Sequence, residues 1–104
     1  ARQGKQKEAE EIMAGALDSA TEAQLNAYGY QLMNGGEIDK AIAAFQANAD
    51  KHPDSWNVYD SLAEAYMTRG DTKKAIEFYK KALSMTTDEA QKGRIRGQLS
   101  QLEG

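Results

Sequence analysis

One stretch of the chain decides the fold because it occurs twice in succession. Residues 22–55 read EAQLNAYGYQLMNGGEIDKAIAAFQANADKHPDS, and residues 56–89 read WNVYDSLAEAYMTRGDTKKAIEFYKKALSMTTDE. A shift of 34 residues aligns the two copies without a gap and pairs identical or similar side chains: Gly36 with Gly70, Lys40 with Lys74, Ala41 with Ala75, Ile42 with Ile76, and Phe45 with Tyr79. Self-similarity at a fixed period of this length is typical of repeat architectures, so we expect a chain built from stacked units.

Each copy contains two helical patterns separated by glycine. In the first copy, apolar side chains recur in helical steps, mostly of three and four residues, at Leu25, Tyr28 and Leu32 and again at Ile38, Ile42, Phe45 and Ala49. Gly35-Gly36 and Gly70 interrupt the patterns, and glycine readily adopts the left-handed conformation that ends a helix. These patterns, with similar ones outside the two copies, predict six helices near residues 6–18, 21–34, 37–51, 55–69, 72–85 and 88–101.

A helical hairpin of this length, with small and aromatic residues at these places, resembles the tetratricopeptide repeat (TPR). The first copy matches the family's small, alanine, aromatic and proline positions with Gly29, Ala41, Phe45 and Pro53, whereas the second has Thr87 at the proline position. The resemblance implies an all-α fold, a right-handed solenoid of helical hairpins with about six helices. Within a single domain of residues 1–104, we expect a half-repeat helix over 6–18, full repeats over 22–55 and 56–89, and a capping helix over 90–104.

The composition argues against several classes of function. The 104 residues carry a net charge of -3 and include one His and no Cys. A negative net charge is unfavourable for binding nucleic acid or an acidic membrane, and the usual cysteine and histidine ligands of a metal site are missing. No apolar run is long enough to span a bilayer. We therefore expect a soluble protein, cytoplasmic or periplasmic, that uses no metal or cofactor.

A cluster of reactive residue types lies between the two copies, but its pattern indicates a turn. Pro53 cannot continue the preceding helix, and Asp54 or Ser55 can accept the free N–H groups of the next one. His52 is expected to be solvated in this turn, with a role as a pH switch as the alternative. No catalytic residue is assigned here, so we do not expect an enzyme.

Asn48 stands where the resemblance predicts alanine, on the side of its helix that faces the following repeat. A buried amide needs hydrogen-bond partners, and the segment 54–57 at the start of the next helix offers them. We expect Asn48 to have an inter-repeat structural role, together with Pro53 and Trp56. Direct contact of Asn48 with a ligand is the alternative.

The resemblance also implies a binding surface, because the first helices of successive TPR units line a concave groove. The inward positions of the family correspond here to Asn26, Tyr30, Met33, Asn34, Asn57, Asp60, Glu64 and Met67, and Arg94 of the last helix is also expected to face the groove. The methionines can adapt to apolar ligand groups, and the two carboxylates favour a cation. The alternatives are that the methionines line the groove without binding a ligand, and that the two carboxylates form a solvated face. The cationic side chains with which some TPR domains grip a terminal carboxylate do not occur at the inward positions of the two copies.

These features predict a non-catalytic protein–protein interaction module, or scaffold, whose concave and mildly acidic groove binds a basic, partly apolar peptide or partner helix. The alternative is an assembly or docking appendage of a larger enzyme, acting through oligomerisation or by packing on a catalytic domain through Trp56, the convex face or the terminal helices. The run from Pro53 to Leu62, with Asn48 ahead of it, is similar to TPR segments that follow bacterial serine hydrolases of the β-lactamase-like class, and this similarity favours the appendage.

Overall fold

The computed structural model describes residues 20–104, and this part of the chain consists of helices joined by short turns and contains no strand. Its five helices are α1 (Glu22–Asn34), α2 (Ile38–Lys51), α3 (Trp56–Arg69), α4 (Thr72–Met85) and α5 (Glu89–Glu103). All five agree with the predicted bounds to within two residues. The predicted helix over 6–18 lies outside the described residues. The all-α, helical-hairpin prediction for the fold is confirmed.

Two nearly identical turns close the hairpins. The N–H of Glu37 donates to the carbonyl of Leu32 and that of Gly36 to Met33, and the corresponding bonds one repeat later join Asp71 to Tyr66 and Gly70 to Met67. This is the Schellman pattern that satisfies the last carbonyls of a helix. It requires a positive φ, which is 85° at Gly36 and 93° at Gly70. The two glycines therefore set where α1 and α3 end.

The helix starts are capped unevenly. Thr21 forms a reciprocal capping box with Gln24 at α1, Asp71 accepts from the N–H of Lys74 at α4, and Asp88 accepts from two N–H groups at α5. Ser55 is the N-cap residue of α3, but its side chain makes no capping bond. The prediction that Asp54 or Ser55 caps this helix is wrong, because no side-chain cap bond is present there within residues 20–104 and the Ser55 hydroxyl donates instead to Glu22 Oε2 at 2.9 Å.

The core lies between consecutive helices, which pack α1 on α2, α2 on α3, α3 on α4 and α4 on α5. Small residues occupy the points of closest approach, because Ala41, Ala63 and Ala75 are fully buried. Gly29 is the tightest point, since a Cβ added there would lie only 2.7 Å from Cδ1 of Phe45. Helices in such contact leave no room for an added methyl group.

Aromatic rings and two cations form a continuous stack along the α3–α4 hairpin. Phe78 lies nearly parallel to Tyr59 and to Tyr66, with ring centroids 6.3 and 5.5 Å apart and interplanar angles of 8° and 7°. Lys81 Nζ lies 4.6 Å from the centroid of Tyr59, and the guanidinium of Arg69 lies 5.1 Å from that of Tyr66. The stack therefore ties α3 to α4 at three successive rings and ends in a positive charge on each side.

Within residues 20–104, none of the helices combines the length and the apolar character needed to cross a membrane.

Candidate functional site

The first helices of successive hairpins share a polar cluster on one face. The Tyr30 hydroxyl of α1 donates to Glu64 Oε2 of α3 at 2.6 Å and lies 3.4 Å from Ser61 Oγ. Ser61 in turn donates to Asn26 Oδ1 at 2.6 Å. Side chains predicted to line the groove thus bond across the α1–α3 boundary, and the boundary is fixed by hydrogen bonds as well as by packing.

An ion pair extends the cluster to the last helix. Nη2 of Arg94 in α5 lies 2.8 Å from Asp60 Oδ2 in α3. Nε of Arg94 also donates to Gln91 Oε1 at 2.9 Å. Asn26, Asp60 and Arg94 are spaced by 34 residues, so one repeat position supplies neighbouring groups from α1, α3 and α5. The structure brings together five of the predicted groove residues: Asn26, Tyr30, Asp60, Glu64 and Arg94.

Asp60 and Glu64 do not form a solvated acidic face, which was the alternative to a cation-binding role. Asp60 is only 8% exposed and is paired with Arg94, while one oxygen of Glu64 is occupied by Tyr30. The other Asp60 oxygen, Oδ1, is buried and has no hydrogen-bond partner in the part of the chain that the structure describes. The negative charge of the face is therefore partly neutralised from within the chain.

Burial changes the acid–base behaviour of the cluster. It raises the pKa of Asp60, an effect that the bond and charge of Arg94 oppose and that the charge of Glu64 reinforces. Burial and the bond to Glu64 raise the pKa of Tyr30 well above its ordinary value. Burial, with the negative charges of Asp60 and Glu64, raises the pKa of Tyr79 to about 12, although Arg94 acts in the opposite direction. Both phenols therefore keep their protons to a higher pH than an ordinary tyrosine.

Tyr79 and Ser61 belong to this site although the sequence did not indicate them as site residues. Tyr79 occupies the aromatic core position of the repeat, and its ring is buried, yet its hydroxyl lies within range of the charges of the cluster. Ser61 is fully buried between α1 and α3. The 34-residue spacing of the repeat does indicate the bond between the donor Tyr30 and the acceptor Glu64, because it places them at equivalent positions. No comparable pattern marks Ser61, because Ala27 and Ile95 occupy its equivalent positions.

The other four predicted groove residues take no part in the hydrogen bonds of the cluster described among residues 20–104. Met33 and Met67 are partly buried and pack against the core, and they sit at equivalent positions of α1 and α3. Asn57 is partly buried in the first turn of α3, and Asn34 is exposed in the last turn of α1. No hydrogen bond within the described residues joins either asparagine to the cluster.

The amide of Asn48 bonds in the opposite direction from the one predicted. It is fully buried in α2, and its Nδ2 donates to the carbonyl of Glu22 at 3.1 Å, whereas the expected partners were in residues 54–57. Glu22 precedes Asn48 and starts the same predicted repeat, so this bond joins α1 to α2. The reason is geometric: the start of α1 packs beside the end of α2, and Ser55 reaches the same residue through its hydroxyl.

Pro53 and Trp56 lie at the turn between α2 and α3. Pro53 is exposed, but its carbonyl accepts from the Tyr59 hydroxyl at 3.1 Å. Trp56 is partly buried at the start of α3 and packs against the core. His52 is less solvated than predicted, because it is partly buried and its Nε2 is inaccessible and has no partner among residues 20–104. No group of three or more potential metal ligands occurs in the same part of the chain.

Comparison with known families gives a match that includes the α3 and α4 residues of the site but not its α1 residues or Arg94. The tetratricopeptide repeat model matches residues 58–93, which cover most of α3, all of α4 and the start of α5. No curated protein gives a significant match to the chain. The match supports the TPR resemblance, and TPR units generally mediate protein–protein interaction and are typically non-catalytic.

Proposed function

We propose that this chain is a protein–protein interaction module that binds a peptide or helix of a partner protein along the face formed by α1, α3 and α5. The observation that carries the proposal is the position of the polar cluster. It holds the carboxylates of Asp60 and Glu64 one helical turn apart on α3, and the partly exposed Met33 and Met67 follow Tyr30 and Glu64 by three residues on their helices. Such a face suits a ligand that carries a basic group next to one or two apolar side chains.

Because Asp60 is paired with Arg94 in the free protein, Glu64 provides most of the unpaired negative charge of this face. Glu64 is partly exposed, and its bond to Tyr30 occupies a single carboxylate oxygen. The attraction between an exposed carboxylate and a ligand cation is screened within about 8 Å at physiological ionic strength, so binding is expected to weaken as salt is added. Each such pair contributes only about 0 to 1 kcal/mol. Much of the affinity therefore comes from contacts of apolar ligand groups with the methionines.

The test uses an array of short peptides that contain one Arg or Lys and two apolar residues, with binding of the best peptide then measured by calorimetry. Glu64→Gln keeps an acceptor for Tyr30 but removes the charge, so affinity should fall about two- to fivefold and the salt dependence should decrease. Met67→Ala should weaken binding without changing the salt dependence. Glu77→Gln, on an exposed position of α4, is the matched control and should leave binding unchanged.

The competing role is that of an assembly or docking appendage of a larger enzyme, such as a β-lactamase-like serine hydrolase. In that case the same face, or Trp56, would be covered by a second copy or by the catalytic domain. Light scattering over a range of protein concentrations separates the two roles. A concentration-dependent dimer that Glu64→Gln and Met67→Ala disrupt, with no peptide bound by the monomer, would contradict the peptide-binding proposal and favour assembly.

A further inference from the structure

Arg94 pairs with only one of the two carboxylate oxygens of Asp60. Arg94 approaches Oδ2 alone, at 2.8 Å, whereas Oδ1 is buried and unpartnered within residues 20–104. The side chain of Asp60 is 11% exposed and that of Arg94 is 42% exposed. A buried carboxylate oxygen without a donor is unfavourable, and a guanidinium has five N–H groups in a fork that can pair with both oxygens at once. The site therefore has unused capacity for a second or better-placed donor.

Arg94 is well placed to leave this contact. It extends from α5, the last helix, and nearly half of its side chain faces solvent, so its charge can be hydrated when the contact opens. Its second bond, to Gln91, lies within α5 and does not depend on Asp60. The carboxylate of Asp60, by contrast, is buried on α3, which packs between α2 and α4. A competing cation can therefore take the place of Arg94 without leaving the buried carboxylate unpaired.

We propose that Arg94 is an internal stand-in for an arginine side chain of the partner. Resting on the proposed function, the inference names the ligand group and its position: the partner's guanidinium replaces Arg94 at Asp60, reaches both carboxylate oxygens, and lies beside Glu64 one turn further along α3. In the free protein, the guanidinium of Arg94 neutralises the buried carboxylate of Asp60. The ion pair thus competes with the ligand, and the apparent affinity is lowered by the fraction of molecules in which it is closed.

Arginine is the expected group because of its shape. A lysine ammonium is a compact point charge that would contact Oδ2 much as Arg94 does, whereas the planar guanidinium can bridge two carboxylate oxygens. A permanent role of Arg94 in the binding surface makes the opposite prediction. If Arg94 contacted the partner directly, its removal would weaken binding of the partner peptide, and most strongly that of an acidic one.

The experiment uses two small probes, N-acetyl-arginine amide and its neutral isostere N-acetyl-citrulline amide, titrated at low salt and followed by amide NMR shifts of α3. The protein variants are wild type, Arg94→Gln, the double variant Arg94→Gln with Asp60→Asn, and the control Arg96→Gln, which changes an exposed arginine of the same helix. Circular dichroism checks that helix content is unchanged. The arginine probe should bind Arg94→Gln about two- to tenfold tighter than wild type, and Arg96→Gln should match wild type.

The gain should vanish in the double variant, and the citrulline probe should bind none of the four proteins at the same sites. Equal binding of arginine to wild type and Arg94→Gln would overturn the stand-in role, as would a gain that survives Asp60→Asn. This result is independent of the peptide array, which tests the groove as a whole. Peptides that bind wild type through the methionines, with no effect of Arg94→Gln, would leave the proposed function in place and remove only this inference. Tighter binding of the arginine probe to Arg94→Gln, with no peptide bound in the array, would support the role of Arg94 and contradict the proposed peptide binding.

Discussion

Tyr79 combines a structural and an electrostatic role in one side chain. Its ring fills the core between α3 and α4, and its hydroxyl lies within range of Asp60, Glu64 and Arg94. In the folded protein its pKa is raised to about 12 from the ordinary value of 10.0. The folded state therefore holds the phenolic proton more tightly than the unfolded chain. The stability that this provides is complete below pH 10 and is lost as the pH rises toward 12.

This difference predicts a specific response to alkaline pH. Between pH 9 and pH 11 the free energy of unfolding of the wild type should fall by about 1 kcal/mol more than that of Tyr79→Phe, because the variant has no phenolic proton at this position. Urea unfolding at pH 9, 10 and 11 measures the two slopes. Tyr28→Phe, at a partly exposed tyrosine of α1, is the control. Parallel slopes for wild type and Tyr79→Phe would show that neither burial nor the nearby carboxylates raise the pKa of Tyr79.

At the scale of the helices, the closest approach between α1 and α2 depends on the absence of a side chain at Gly29. Phe45 is fully buried and packs edge-on against Tyr30 at a centroid distance of 5.1 Å, so its ring cannot move aside. Gly97 occupies the equivalent position of α5, two repeats later, and a Cβ there would meet nothing within 4 Å. The two glycines therefore offer a matched pair for a single substitution.

Gly29→Ala should destabilise the protein by about 1 to 3 kcal/mol, because the added methyl group overpacks the contact with Phe45. Gly97→Ala should stabilise it by up to about 1 kcal/mol, because alanine favours an exposed helical position over glycine. Midpoints of urea unfolding for the two variants measure the difference. A stabilised Gly29→Ala variant would mean that α1 and α2 are further apart than the structure shows.

The helices could be predicted from the sequence because their signals are local and redundant. The apolar spacing of α2 and the glycines at 36 and 70 each mark the same boundaries, and the second copy repeats them. The partners of polar side chains could not, because a hydroxyl or amide satisfies its bond with any group in reach. Ser55 and Asn48 both bond to Glu22, which is close only after α1 has packed beside the end of α2. Asp60 and Arg94 were assigned to one groove, but their pairing depended on the position of α5.

At the scale of the molecule, α5 covers the apolar side of α4, so its loss should lower the stability of the remaining helices. Ile95 is fully buried and Leu99 nearly so, and Lys80 of α4 pairs with Glu103 at 3.3 Å. Deleting residues 90–104 would uncover the apolar side of α4 and remove Arg94 from Asp60. In a linear array the terminal helix contributes through a single interface, and its removal exposes that interface to other molecules.

We expect the shortened protein to unfold at lower urea concentration and to associate, as measured by unfolding midpoints and by light scattering. Arg94→Ala in the full chain separates the two contributions, because it removes the ion pair but keeps the buried apolar contacts. Arg94→Ala should itself lower the unfolding midpoint, though less than the deletion does, because it leaves the buried Asp60 carboxylate without its cation. A monomer of unchanged stability after the deletion would show that α5 is not part of the packed array.

The ring stack of Tyr66, Phe78 and Tyr59 also gives the molecule an optical label. Rings that are held nearly parallel at 5.5 and 6.3 Å, in a chiral environment, couple their electronic transitions. Near-ultraviolet circular dichroism should therefore report the docking of α3 on α4, while the far-ultraviolet signal reports only helix content. The loss of the first signal ahead of the second during unfolding would reveal a state in which the helices persist but the hairpin has separated.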